Sequence, residues 1–143
     1  MSKVFLYFKT PWMAGAGLLF MCCVVFAPLL ENFFIWDDDS YLTKNLLLND
    51  IDGLKRIWLD LLATPQYYPL VFTSFWIEHK FWSLDPLGYH VDNVILHCIN
   101  AVLLWRILSF LEVKGSWLAA AIFAIHPIQA ESVAWITERK NLL

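Results

Sequence analysis

From Trp12 to Leu30 the chain runs nineteen residues without a charged side chain, close to the roughly 20 that a helix needs to cross ~30 Å of hydrocarbon. In lipid such a segment must satisfy its backbone internally, so it folds as a helix. Lys3 and Lys9 precede it and Glu31 follows, an asymmetry that predicts a cytoplasmic N-terminus over residues 1–11. A cleavable signal peptide is the alternative, because Val25-Phe-Ala27 imitates a cleavage pattern. Pro28 would follow that cut and the apolar run is longer than a typical signal core, so a retained anchor over 12–30 is expected.

The rest of the sequence points to the same solvent. Hydrophobic residues make up 59% of the chain and its mean hydropathy is +0.57, above the apolar share of an ordinary soluble domain. They cluster in long runs instead of alternating with polar residues, which favours spans over a soluble core. The net charge of −3 and the absence of a lysine or arginine run exclude a nucleic-acid partner. Cys22, Cys23 and Cys98 lie inside apolar runs, where cysteine behaves as a small hydrophobe.

Residues 31–87 carry nine acidic side chains against Lys44, Lys55, Arg56 and Lys80, a bias opposite to that of cytoplasmic loops. Within this predicted extracytoplasmic stretch, Leu54, Ile57, Trp58, Leu61 and Leu62 fall at helical spacing opposite Lys55, Arg56 and Asp60. An amphipathic interfacial helix is predicted there. A second, rich in Phe and Trp, is predicted over Pro69 to Trp82, where Glu78, His79 and Lys80 argue against a full span. Residues 88–111 are expected to return across the membrane and 112–115 to form a cytoplasmic turn, Arg106 and Lys114 supplying the positive-inside bias. A third membrane helix is expected over 116–128, its outer end uncertain because Pro127 interrupts it. Residues 129–143 would then be an extracytoplasmic loop leading into a further helix, so the sequence reads as a fragment. The expected fold class is an all-α, multi-pass membrane protein with a helical extracytoplasmic loop.

Three constellations could carry chemistry. Asp37, Asp38 and Asp39 follow Phe33-Phe-Ile-Trp36; like charges so close raise at least one pKa unless a cation compensates. Such a group suits a general base or a divalent-metal site, and equally a solvated acidic loop or helix cap. His126-Pro-Ile-Gln-Ala-Glu131, followed by Arg139 and Lys140, is predicted on the same side. Glu131 could complete an acid or metal site with Asp38 and Asp39, and the planar fork of Arg139 suits phosphate oxygens. In the returning helix His90, Asn93, His97 and Asn100 share one face; polar groups there either bond helices together or line a substrate cavity. No two-histidine, one-turn zinc motif is present.

Four stretches carry a family likeness: Phe34-Ile-Trp-Asp-Asp-Asp-Ser-Tyr-Leu-Thr-Lys-Asn45, Tyr67-Tyr-Pro-Leu-Val-Phe-Thr-Ser-Phe-Trp76, Gly88-Tyr-His-Val-Asp-Asn-Val-Ile-Leu-His97 and His126-Pro-Ile-Gln-Ala-Glu-Ser-Val-Ala-Trp-Ile-Thr-Glu-Arg139. In order and spacing they resemble the N-terminal part of the transmembrane and tetratricopeptide-repeat (TMTC) family, whose membrane portion is similar to the C-superfamily glycosyltransferases. The resemblance implies a polyprenyl- or dolichyl-phosphate sugar donor and transfer to a hydroxyl, with protein as an acceptor, on the outer or lumenal side of a bacterial inner membrane or endoplasmic reticulum membrane. By position, it assigns the catalytic acidic pair to Asp37 and Asp38, one of them the general base, with Asp39 a neighbour. It gives His126 and Glu131 to the second loop motif and Arg139 to the charge developing on the leaving phosphate, while a place beside the substrate for His90 and Asn93 follows only from the helical face they share. It leaves open whether a divalent cation takes part, with Asp38, Asp39 and Glu131 as the residues to hold one. The chain departs from the family pattern in lacking tetratricopeptide repeats and in having Gln129 where relatives often carry histidine, and alone it is expected to be inactive. The competing reading is a noncatalytic membrane scaffold or assembly subunit, in which the aspartates cap a helix and the polar stripe only joins helices.

Overall fold

The computed structural model describes residues 11–143; residues 1–10, with Lys3 and Lys9 of the predicted cytoplasmic segment, lie outside the described residues. Helix α1, Pro11–Phe26, tightens into a 3-10 turn over Ala27–Glu31. From Trp12 to Glu31 it forms a continuous 20-residue helix, whose most apolar 18-residue stretch has a mean hydropathy of 2.3. Ala14, Leu18, Cys22 and Phe26, each four residues apart, are its buried stripe, the repeat of one helical face.

Two short helices follow. In α2, Ile51–Leu59, the Asp50 carboxylate accepts from the Gly53 N–H at 2.6 Å, an N-cap that fixes where the helix begins. Helix α3, Pro69–Trp82, starts on a proline suited to a first helical turn. It stops at Ser83, whose φ of 51° leaves the helical region. Helix α4, Pro86–Phe110, repeats the device: Asp85 accepts from the Leu87 N–H at 3.0 Å and Pro86 opens the helix. Its 25 residues extend about 38 Å, enough to cross a bilayer. Gly115, at φ 81°, makes the turn into α5, Ser116–Ile125.

Helices α1, α4 and α5 pack together with Cys22, Cys98, Ala101 and Ala124 in one layer and Leu18, Ala120 and Ala121 in the next, most of these buried side chains being small. Small residues let helix backbones approach closely where lipid removes the hydrophobic drive between helices. On α4 the outward face is Ile95, Ile99, Leu103 and Ile107, all largely exposed, while the buried side carries His90, Asn93 and His97. This pattern, apolar outside and polar inside, reverses that of a soluble helix. With no strand among the described residues, the fold is all-α and of membrane type.

The third apolar run behaves differently from the first two. Helix α5 ends at Ile125, after about 15 Å, because His126 takes an extended backbone ahead of Pro127, the conformation a following proline enforces. The chain then turns into α6, Gln129–Ala134, and a 3-10 turn over Ile136–Asn141. These elements dock on α4, and Ile136 enters an aromatic core with Tyr41, Leu42, Leu48, Ile57, Val71, Phe72, Phe75 and Tyr89. That core ties the 31–87 stretch to the end of the chain.

Candidate functional site

The two acidic stretches meet at Asp38. Its Oδ2 accepts from the Ile35 N–H at 2.9 Å, while the Asp38 N–H donates to the Ile35 carbonyl at 3.0 Å. Its Oδ1 accepts from the Thr137 N–H at 3.1 Å, across 99 residues of sequence. Asp38 is fully buried, and burial pushes its carboxyl above the usual aspartate range against the pull of the Ile35 and Thr137 amides. Repulsion from Asp37, the cause expected from the triplet, is the smallest contribution. Asp39 is held below the usual range by the Lys44 ammonium and Thr43 hydroxyl. Asp37 remains exposed; its carbonyl accepts from Ser40 and Tyr41, and its carboxylate makes no hydrogen bond among the described residues. A wide π turn over Asp39–Thr43 follows.

Trp36 stands beside these aspartates in the left-handed region, at φ 47° and 77% exposed. Its ring meets that of Trp135 edge-on at 5.0 Å. A non-glycine residue in this region carries strain that the surrounding contacts have to support, and such strain gathers at working sites.

Arg139 is fully buried. Its Nε donates to Asn93 Oδ1 at 2.7 Å, Nη1 to Ser74 Oγ at 3.1 Å and to Glu78 Oε1, and Nη2 to the Tyr89 carbonyl at 3.1 Å. Its guanidinium lies over the Phe75 ring at 4.6 Å. Expected from the sequence to face a phosphate, Arg139 here joins α3, α4 and the 3-10 turn, and presents no surface to solvent. The Glu78 side chain is 12% exposed, and its buried Oε2 has no partner among the described residues. Burial drives it above the ordinary glutamate range although Arg139 pulls it down.

Of the residues singled out in the sequence, Asp38, Asn93 and Arg139 are brought together by one segment. Asn93 Nδ2 donates to the Val133 and Trp135 carbonyls at 3.3 and 3.4 Å. Farther along α4, His97 Nε2 lies 3.0 Å from the Ala124 carbonyl and Asn100 Nδ2 donates to the Leu142 carbonyl at 2.7 Å. The polar stripe thus fastens α4 to residues 124–142. His90 is buried on the same face. His126 and Glu131 are exposed; His126 Nδ1 accepts from the Ile128 N–H at 3.2 Å, and neither residue hydrogen-bonds to Asp37, Asp38 or Asp39 among the described residues. Lys140 pairs with Glu138 at 2.6 Å.

Ser74, Glu78, Tyr89, Trp135 and Thr137 were not marked by the sequence reading. Glu78 did leave a signal: it is a lone carboxylate in an aromatic helix, four residues from Ser74 on the same face. Thr137 reaches Asp38 through its backbone amide, which no side-chain pattern reveals. As for a metal, no group of three His, Cys, Asp or Glu side chains among the described residues is close enough to hold one. Asp38, Asp39 and Glu131 are not gathered into such a set, and both Asp38 oxygens already accept backbone amides.

No family model matches the chain and no solved structure matches it. Curated relatives do. It is 32% identical over 120 residues to human Protein O-mannosyl-transferase TMTC3, covering 77% of this chain and 13% of that one. It is 30% identical over 140 residues to Drosophila melanogaster Protein O-mannosyl-transferase Tmtc1, covering 89% and 16%. To Caenorhabditis elegans Protein O-mannosyl-transferase F38B6.6 it is 28% identical over 142 residues, covering 88% and 20%. The chain therefore spans a fifth or less of the length of these relatives.

Proposed function

We propose, on the premise that this chain is a member of a TMTC-like family, that it builds part of the site where a membrane glycosyltransferase passes a sugar to a protein hydroxyl. In this reading the donor is a polyprenyl-phosphate sugar. The relatives are named for O-mannosyl transfer to protein, which makes mannose the first sugar to test.

The observation that carries the reading is the contrast between two adjacent carboxylates. Asp38 is buried with both oxygens engaged by backbone amides, whereas Asp37 is exposed and its carboxylate is unengaged among the described residues. We therefore assign the general base to Asp37 and the anchoring of the loop to Asp38. The Asp37 carboxylate takes the acceptor's hydroxyl proton as the hydroxyl oxygen bonds to the anomeric carbon. The bond from that carbon to the phosphate oxygen breaks, its electron pair stays on the phosphate, and polyprenyl phosphate leaves. Trp36, exposed and held by Trp135, flanks the position of the sugar.

The scaffold reading draws on a specific observation of its own: Asp38, Asn93 and Arg139 are all spent on joining segments. Asp37→Asn separates the two. With a polyprenyl-phosphate mannose and an acceptor peptide bearing serine and threonine, the full protein should lose at least about a hundredfold in kcat, the scale of a removed general base. Its KM for the donor should change little. Undiminished turnover by the variant would remove Asp37 as the base, and a wild-type protein without turnover would favour the scaffold.

A further inference from the structure

We propose that Glu78 is a positioning residue of the transfer site: by holding Arg139 it fixes the 136–141 turn so that the Thr137 amide reaches Asp38. The inference rests on the transferase reading given above. It extends that reading to a residue on α3, an element remote in sequence from both acidic loops.

The chain of contacts is continuous. Asp38 Oδ1 is held by the Thr137 N–H at 3.1 Å. Thr137 lies two residues from Arg139 within one 3-10 turn, Ile136–Asn141. Arg139 is oriented by four groups on two helices, Asn93 and the Tyr89 carbonyl on α4, and Ser74 and Glu78 on α3. Of these only Glu78 carries charge, and a guanidinium without solvent access requires a counterion close by. Without it, the arginine's most favourable response is to seek water, which draws the turn off Asp38. The Oε2 of Glu78, without a partner among the described residues, agrees with a side chain placed for Arg139 and not for a wider network of its own. Ile136, in the aromatic core, holds the other end of the turn, so loss of Glu78 should loosen the turn without detaching it.

The test reads the Thr137 amide directly. Full protein labelled with 15N-threonine is placed in detergent micelles, the Thr137 signal is assigned by Thr137→Ser, and amide hydrogen exchange is followed. Glu78→Gln should speed exchange at Thr137 at least tenfold, Asp38→Asn should do the same, and the double variant should exchange no faster than the quicker single. Turnover with polyprenyl-phosphate mannose should fall more than tenfold in kcat in Glu78→Gln, while Glu78→Asp, which keeps the counterion, recovers most of it. Because Glu78→Gln leaves a buried charge and could fail to fold, Glu78→Met combined with Arg139→Met removes both charges together. That variant should also lose Thr137 protection. Unaltered Thr137 exchange in the folded variants would overturn the proposal whatever the turnover. A wild-type protein without turnover, but with Thr137 accelerated as expected, would instead overturn the transferase reading.

Discussion

At the scale of single residues, the acidic triplet divides into three environments that its sequence does not distinguish. One carboxylate is exposed, one is buried against two amides, and one is paired with Lys44. The division has a pH signature. Because burial raises the Asp38 carboxyl, the folded chain binds that proton more tightly than the unfolded chain. Its contribution therefore favours folding most below the ordinary aspartate value of ~3.9, and weakens as pH rises through the raised folded value. The unfolding midpoint of wild type, followed by tryptophan fluorescence from pH 4 to 7, should fall more steeply than that of Asp38→Asn. Equal slopes would mean that Asp38 ionises as freely in the folded chain as in the unfolded one. The chemical type of the candidate residues is conspicuous in the sequence, since acidic and basic side chains stand out beside long apolar runs. Their partners are not. Arg139 suits a phosphate by its chemistry, and only the fold reveals that α3 brings a carboxylate to it first.

At the scale of elements, the local signals worked where a cap or a proline accompanied the hydrophobic pattern. Helix α3 spans Pro69–Trp82 and α4 begins at Pro86 behind Asp85, both close to what periodicity and breakers indicate. Helix α6 and the 136–141 turn were hidden, because each is only six residues long. That is too short for a periodic signal, and their stability comes from packing on α4 and on the aromatic core. Helix α2 shows how tightly a capped element can be seated. A Cβ on Gly53 would come within 2.1 Å of the Leu47 carbonyl oxygen and 2.7 Å of its carbon. Backbone cannot swing aside as a flexible side chain can, so Gly53→Ala should cost roughly 1–3 kcal/mol, the range for overpacking a fitted site. Limited proteolysis in detergent should cut the Leu46–Leu62 region faster in this variant than in wild type. Matching digestion rates would show that the Leu47 backbone gives way without loss.

For the whole molecule, the all-α membrane fold could be read from the hydrophobic runs, and the structure adds how the helices and polar stretches are joined. Only 22% and 28% of the two long apolar windows are buried within the chain, so α1 and α4 leave large apolar faces for lipid or neighbouring helices. Between them, α1, α4 and α5 make a bundle closed at one end by residues 31–85 and 126–143. The hydrogen bond from Thr137 to Asp38 and the Trp36–Trp135 contact require both polar stretches to occupy the same side, since neither contact can form across a bilayer. Lys114 sits at the opposite end of α4, beyond Phe110, and a membrane-crossing α4 puts it on the other side. Single cysteines introduced at Ser40, Gln129 and Lys114, in a background with Cys22, Cys23 and Cys98 replaced by alanine or serine, can be probed in sealed vesicles with a membrane-impermeant maleimide. Ser40→Cys and Gln129→Cys should label from one side and Lys114→Cys only after permeabilisation, or the reverse in inverted vesicles. Labelling of the first two from opposite sides would be incompatible with the loop junction at Asp38, and the shared site would dissolve with it.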